Sequence, residues 1–155
     1  MSQHFDPNEI LPLPLMANLA TVSANGPRNA PVWFIWEDNR LWMPGTTSGS
    51  TVRRLEKNPQ CAVEIVHYDN KAGILLHLGF RGNATIEASA PDRFKRLLSK
   101  YLGNKEAAWN QWFIDNIARI DDPDGRMISL SPQSTFTNNV SFFRTGPELA
   151  WPAID

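Results

Sequence analysis

The alternation of short apolar segments with tight turns constrains the fold of this chain more than any other feature of its sequence. The strand-like segments are rich in β-branched and aromatic residues, and they span residues 17–22, 28–36, 41–43, 61–68, 74–86, 126–130 and 135–143. Consecutive strands that are joined by tight turns pair antiparallel, and closing such a sheet removes its exposed edges. We therefore predict a mainly β, α+β fold built on an antiparallel barrel of about six strands.

Helical spacing is confined to two regions of the sequence. Residues 51–57 predict a short helix that is stopped by Asn58-Pro59. Residues 91–120 predict a pair of helices, and the apolar stripe of the second includes Trp109, Trp112 and Phe113. We interpret these three aromatic residues as helix core. Because the helical pair is segregated from the strands, we expect a few helices that flank the barrel.

Length, charge and cysteine content limit the functions open to the chain. We expect one domain over residues 1–155, with a lead-in at 1–15 and a tail at 145–155. With 15 Lys and Arg against 16 Asp and Glu, there is no electrostatic case for binding nucleic acid or an anionic membrane. A lone Cys61 forms no internal disulfide or thiolate metal cage. We find no secretory signal and no membrane-spanning run, and expect a cytoplasmic protein.

The segment 28–36 is unusual because it is apolar on both faces. Alternation places Val32, Phe34 and Trp36 on one face and Trp33 and Ile35 on the other. One small barrel has a single interior, so we expect a second subunit to cover the remaining face. In the long segment 74–86, Gly79 and Gly82 indicate a bend or the close approach of another backbone.

A loop of hydroxyl residues precedes the short helix and is the strongest candidate for a binding site. It runs from Gly45 to Ser50 and leads into a helix that carries Arg53 and Arg54. Free backbone N–H groups and the helix dipole favour an anion at such a position. Trp33, Trp36 and Trp42 lie on neighbouring strands, and they could form the walls around a planar ring. The alternative is an ordinary helix whose first turn is capped by its own Ser and Thr side chains.

Histidines and acidic residues give no metal motif. His67 and His77 lie on different strands without ligand spacing, so we predict no metal site. A lone histidine on a strand is more often a hydrogen-bonded core or interface residue than a ligand.

Two stretches resemble the pyridoxamine 5'-phosphate oxidase-like FMN-binding split-barrel proteins. The first is LATVSANGPRNAPVWFIWEDNRLWMPGTTSGSTVRRLEKNPQCAVEIV, and the second is GFRGNATIEA. The order and spacing of the motifs within them carry the resemblance. It implies a six-stranded antiparallel split β-barrel that forms a homodimer. It also implies one FMN for each site, in a groove shared by the two subunits.

The resemblance also assigns roles to individual positions. It implies that the strand from Ala30 to Phe34 runs along the flavin ring, and that Thr46 and the helix start hold the ribityl chain and the phosphate. The cofactor-binding candidates that follow are Val32, Trp33, Phe34, Thr46, Ser50, Thr51 and His77. Many relatives have a lysine at the position of Thr51, where it pairs with the phosphate. The cations that could replace it here are Arg28, Arg53 and Arg54.

Three functions remain open at this point. The first is an FMN-dependent oxidoreductase that acts on an unidentified small molecule, for which the sequence identifies no catalytic residue because the flavin supplies the chemistry. The second is a non-catalytic protein that binds or stores flavin, deazaflavin or haem, with His67 or His77 as the axial ligand of haem. The third is an interaction domain that has lost its site.

Overall fold

The computed structural model describes residues 4–117 and 122–141 of the chain. Eight strands and three α-helices lie in this part. The strands are β1 (Ala17–Ser23), β2 (Gly26–Val32), β3 (Ile35–Glu37), β4 (Arg40–Thr46), β5 (Gln60–Asp69), β6 (Ile74–Ala88), β7 (Gly125–Leu130) and β8 (Ser134–Asn139). The helices are α1 (Ser50–Lys57), α2 (Pro91–Leu102) and α3 (Gln111–Ile117). The predicted tail at 145–155 and the predicted strand end at 143 lie outside the described residues.

The strands form one antiparallel sheet that bends into a split barrel. Its order is β2-β1-β5-β6-β7-β4-β3, and β8 pairs with β6. The first and last strands of this order, β2 and β3, are consecutive in the chain and are separated by Trp33 and Phe34 alone. The covalent chain, and not a ladder of hydrogen bonds, therefore joins the two ends of the sheet. This confirms the predicted mainly β split barrel, with the predicted strand 28–36 divided in two.

The bend of the barrel occurs within β6. Residues 74–83 of β6 pair with β5, whereas residues 84–88 pair with β7. At Gly82, a Cβ atom would lie 3.1 Å from Leu130 Cδ1 and 3.2 Å from the carbonyl oxygen of Ser131. A side chain at this position would therefore displace the backbone that links β7 to β8. The predicted close approach of another backbone is confirmed at Gly82.

The barrel interior is a core of mainly aliphatic side chains. Alternating residues of β1, β5 and β6 point inward. The fully buried residues of the barrel strands include Leu19, Leu41, Ile65, Leu78 and Leu130. Helix α1 closes this core with Val52 and Leu55. The lead-in before β1 also contributes the buried Ile10 and Leu11, which the weak patterning of that segment did not predict.

A second apolar cluster lies outside the barrel, beneath α2. Its buried members are Trp42, Leu97, Leu98, Trp109 and Met127, and Trp33, Ile35 and Tyr101 pack against them. The outer apolar face of the segment 28–36 is therefore covered by the chain's own helices. The inference that this face needs a second subunit was wrong.

The helical pair differs from its prediction in its second member. Helix α3 begins at Gln111, because the Asn110 side chain accepts a hydrogen bond from the backbone N–H of Trp112 (2.9 Å). Trp109 precedes the helix and is buried in the second cluster, where its indole N–H donates to the carbonyl of Gly103 (2.8 Å). The predicted continuation to residue 120 lies outside the described residues. No described helix is long and apolar enough to span a membrane.

Candidate functional site

A cavity of about 500 Å³ lies between the end of the barrel and helices α2 and α3. The strand ends contribute Val32 and Trp33, α2 contributes Phe94, Leu97 and Leu98, and α3 contributes Trp112 and Phe113. Ligand pockets commonly measure roughly 300–1,000 Å³ and are lined mostly by hydrophobic and aromatic side chains. The cavity therefore has the size and the walls of a site for a flat apolar group.

Polar side chains gather at one end of this cavity. Thr46, Ser89, Asp122 and Arg126 line it there, next to the backbone of Gly45. The Arg126 guanidinium donates to the carbonyl oxygens of Pro123 and Gly125, both at 2.7 Å. The cavity is therefore amphipathic, with an apolar chamber and a polar end beside the start of α1.

The three tryptophans that the sequence suggested as walls around one planar ring lie in three different environments. Trp33 lines the cavity, and its ring stacks on Tyr101 (4.5 Å between centroids, 3° between planes). Trp36 instead stacks on Phe80 and packs against the barrel core. Trp42 is buried in the second cluster, with the Arg93 guanidinium 3.7 Å from its ring centroid. These three indoles therefore do not enclose one ring between them.

Trp112 is the aromatic residue that sequence reasoning misplaced. It is 62% exposed, although it lines the cavity, and it meets Phe113 edge-on. The helical spacing of Trp109, Trp112 and Phe113 suggested a common buried stripe. The late start of α3 instead buries Trp109 in the second cluster and leaves Trp112 at the cavity mouth.

The first turn of α1 is open at its N-terminus. Gly49 is the N-cap residue, and no side chain caps the turn. The loop hydroxyls bond elsewhere: Ser48 donates to Asp124 (2.9 Å) and lies 3.4 Å from the hydroxyl of Thr46. The alternative that this loop only caps its own helix is therefore wrong. An anion here would meet the helix dipole, but also the nearby carboxylate of Asp124.

The three candidate arginines occupy different positions. Arg28 is exposed and donates to the carbonyl of Pro27, and the exposed Arg53 donates to the carbonyl of Ser48. Arg54 donates through Nε to the Thr21 hydroxyl (2.9 Å) and through Nη2 to the Thr51 hydroxyl (3.2 Å). None of the described carboxylates forms an ion pair with Arg54.

The remaining candidate positions are not all at the cavity. Ser50 begins α1 and does not line the cavity. The Phe34 side chain is fully buried in the barrel interior, and only its backbone lies at the junction of β2 and β3. His77 projects from the outer face of the sheet, where its Nδ1 is 3.9 Å from a carboxylate oxygen of Glu64. Within one chain, His77 therefore does not line the cavity.

Potential nucleophiles and metal ligands do not form a catalytic group in the described part of the chain. Cys61 is buried, and this burial raises the pKa of its thiol to about 11, so the group stays protonated at neutral pH. No set of three His, Cys, Asp or Glu residues among those the structure describes is arranged to hold a metal ion.

The fold and the cavity define a split-barrel protein with an amphipathic site at the barrel end. The family model described as pyridoxamine 5'-phosphate oxidase matches residues 8–139, which is most of the chain. The chain therefore belongs to the pyridoxamine 5'-phosphate oxidase family. No curated protein matches it in sequence.

Solved structures share the fold at low sequence identity. A conserved hypothetical protein from Mycobacterium tuberculosis has a TM-score of 0.72 at 15% identity and covers 98% of this chain and 95% of its own. A structure described as F420 reductase has a TM-score of 0.61 at 23% identity, over 83% of this chain and 94% of that one. An FAD-binding protein from Mesorhizobium loti has a TM-score of 0.60 at 12% identity, over 85% and 89%. At these identities the likeness shows the fold alone.

Proposed function

We propose that the chain is a flavoprotein that binds FMN in the 500 Å³ cavity and uses it for oxidation or reduction of a small molecule. The observation that supports this most is the amphipathic form of the cavity: an apolar chamber meets a polar end beside an uncapped helix start. A flavin mononucleotide has the same division, with a flat ring at one end and a phosphate at the other.

The residues present fit such a group. The apolar lining of the cavity would hold the ring and keep water away from it, through Val32, Trp33, Leu97 and Trp112. Thr46 and the first-turn N–H groups of α1 would hold the ribityl and phosphate end. FMN supplies the hydride or electron chemistry when it is bound, and the protein supplies its position and its electrostatic surroundings.

Among the described residues, Arg126 is the cation that lines the cavity. None of the three candidate arginines lines it, and of these Arg54 is our choice for a further cation that balances the phosphate. Its guanidinium donates to the Thr51 hydroxyl, and no described carboxylate neutralises it. A guanidinium on the side of the first turn can add charge-assisted hydrogen bonds to a phosphate oxygen. The guanidinium of Arg53 donates to the loop carbonyl of Ser48, so an Arg53 variant is the matched control for an Arg54 variant.

A deazaflavin is the second candidate for the cofactor. A protein described as F420 reductase shares the fold, and the apolar chamber would accept a deazaflavin ring as well as a flavin ring. Haem is less favoured, because neither His67 nor His77 lines the cavity.

We further propose that the protein is a homodimer, with a second copy on the outer face of β1, β5 and β8. Val22, Tyr68 and Phe136 share this face and are 43%, 49% and 56% exposed. A dimer through this face would bury His77, which projects from the same side of the sheet. Sedimentation velocity should give a dimer at micromolar concentration, and a monomer there would contradict this proposal.

An absorption spectrum of the purified protein tests the cofactor. We expect a flavin spectrum, or its appearance together with a fluorescence change when FMN is added. A ligand that binds only the folded state at a hundred times its Kd stabilises that state by about 2.7 kcal/mol, so excess FMN should also raise Tm. A colourless protein with an unchanged Tm in excess FMN would contradict the proposed function. Cell fractionation tests the cytoplasmic location that we propose with it.

A further inference from the structure

The junction between β2 and β3 is a gap in the hydrogen bonding of the barrel. Trp33 and Phe34 lie between the two strands and pair with no neighbouring strand. The Phe34 side chain is fully buried. Buried backbone N–H and C=O groups nearly always have partners, so the N–H and the C=O of Phe34 must find theirs outside the sheet.

Helix α2 supplies both partners from consecutive residues. The Tyr101 hydroxyl accepts a hydrogen bond from the N–H of Phe34 (3.1 Å) and donates one to the carbonyl of Leu15 (2.6 Å). The Lys100 ammonium donates to the carbonyl of Phe34 (3.0 Å) and lies 3.4 Å from the centroid of the Phe34 ring. These two side chains of α2 therefore supply hydrogen-bond partners to the backbone N–H and C=O of Phe34, which the sheet leaves unpaired.

The same helix also forms a wall of the cavity. Phe94, Leu97 and Leu98 line the cavity from the two turns of α2 that precede Lys100 and Tyr101. Trp33, which is covalently joined to Phe34, lines the cavity next to α2, because its ring stacks on Tyr101 (4.5 Å, 3°) and on Phe113 of α3 (5.7 Å, 15°). The position of the Trp33 ring in the cavity wall therefore depends on how α2 is fastened at Phe34.

Apart from Phe34, Lys100 has the Tyr101 ring as its partner in the described residues, with the ring centroid 5.2 Å from Nζ. It forms no ion pair with any carboxylate in the described ranges, and burial lowers the pKa of its ammonium group to about 7. Either protonation state keeps an N–H that can donate to the carbonyl of Phe34. The contact therefore persists around neutral pH although the position disfavours the charge.

We propose that Lys100 and Tyr101 are positioning residues of the cavity: by binding the backbone of Phe34 they hold the neighbouring Trp33 ring against α2, in the cavity wall that a planar ligand would contact. Neither side chain touches the ligand in this role. The inference rests on the proposed function insofar as it uses a flavin as the planar ligand. It extends that function by naming the residues that hold one wall of the site in place.

The test uses riboflavin and anilinonaphthalene sulfonate as probes, each titrated by fluorescence well below Tm. The variants Tyr101→Phe and Lys100→Met remove the hydrogen bonds but keep most of the apolar volume. We expect each to raise the Kd of both probes about tenfold, because Trp33 loses the contacts that hold it in the cavity wall. Lys100→Arg keeps a donor and should bring the affinity back towards that of the wild type.

A barrel-core variant separates positioning from general stability. Leu78 is fully buried, and it does not line the cavity, so Leu78→Ala should lower Tm but leave the Kd of both probes unchanged. If Tyr101→Phe and Lys100→Met behave like Leu78→Ala, the two residues are merely structural and the inference is overturned.

Two wild-type outcomes distinguish the inference from the proposed function. Binding of the naphthalene probe without riboflavin would defeat the flavin proposal, while the variants would still test the positioning role with the remaining probe. Binding of neither probe would overturn both proposals, because the cavity would then not be a ligand site.

Discussion

The barrel interior and the helix cluster are both apolar, but they differ in how completely they are filled. The barrel interior consists mainly of aliphatic side chains from alternating strand positions, closed by Val52 and Leu55 of α1. Half of the members of the helix cluster are aromatic, with a lysine over Phe34 at its border and a cavity of about 500 Å³ beside it. Aliphatic strand residues interdigitate to near-crystalline density, whereas α2 and α3 leave space. We therefore assign stability to the first region and ligand binding to the second.

A pair of leucine variants tests this division most strongly. Leu78 in the barrel and Leu97 in the helix cluster are both fully buried, but only Leu97 lines the cavity. Leu→Ala in a core costs about 2–5 kcal/mol, and we expect Leu78→Ala to fall at the upper end of this range in chemical denaturation. Leu97→Ala should cost about 2–3 kcal/mol, because one side of Leu97 already faces a space.

The two variants should rank in the opposite order by their effect on ligand affinity. Leu97→Ala widens the cavity and should change the Kd for FMN, whereas Leu78→Ala should not. Equal changes in Kd for the two variants would show that the two regions do not divide stability from binding.

The parts that local sequence could predict belong mostly to the barrel. The hairpin turn at 37–40 is one example, because Asp38 and Asn39 both adopt positive φ (55° and 56°), as a two-residue hairpin loop requires. Strand alternation likewise predicted which faces of 28–36 are apolar. The bond between Lys100 and Phe34 joins residues 66 positions apart, and no local pattern encodes it. The cavity depends on such distant contacts, so the sequence indicated its polar loop but not its helical wall.

Titration of Lys100 tests the border between the two regions. Burial lowers its folded-state pKa to about 7 from an ordinary value of 10.5, so between these values the unfolded chain binds more protons. Stability then rises with pH across this window and is flat below it. Because the amine is partly exposed, we expect a gain of only about 1–2 kcal/mol.

The matched measurement compares wild type with Lys100→Met by denaturation from pH 6 to about 9.5. Cys61 and Tyr101 have raised pKa values of about 11 and about 12, and their effects cancel in the difference between the two proteins. A constant difference over this range would mean that Lys100 keeps its ordinary pKa, and that its surroundings are wetter than the contacts with Phe34 indicate.

The charged end of the site is tested by comparing FMN with riboflavin, which lacks the phosphate. The ratio of the two Kd values reports the phosphate contribution alone. Arg54→Met should reduce the preference for FMN about tenfold, because it removes one charge-assisted contact. Arg53→Met should change it less, since Arg53 is exposed and donates to the carbonyl of Ser48. The opposite order would assign the phosphate to Arg53.

Substitution of Trp112 should have the smallest effect on ligand affinity, and it tests the mouth of the cavity directly. Its indole is 62% exposed, so Trp112→Ala should leave Tm nearly unchanged. Stacking between aromatic rings contributes about 0.5–1.5 kcal/mol, and we expect the Kd for riboflavin to rise about threefold to tenfold. Trp112→Phe should retain most of the affinity, because a phenyl ring can still stack. If the alanine variant binds riboflavin as the wild type does, the ring lies deeper, against Trp33 and Leu97. The exposed indole then forms no part of the binding site, and the helix cluster alone encloses the ligand.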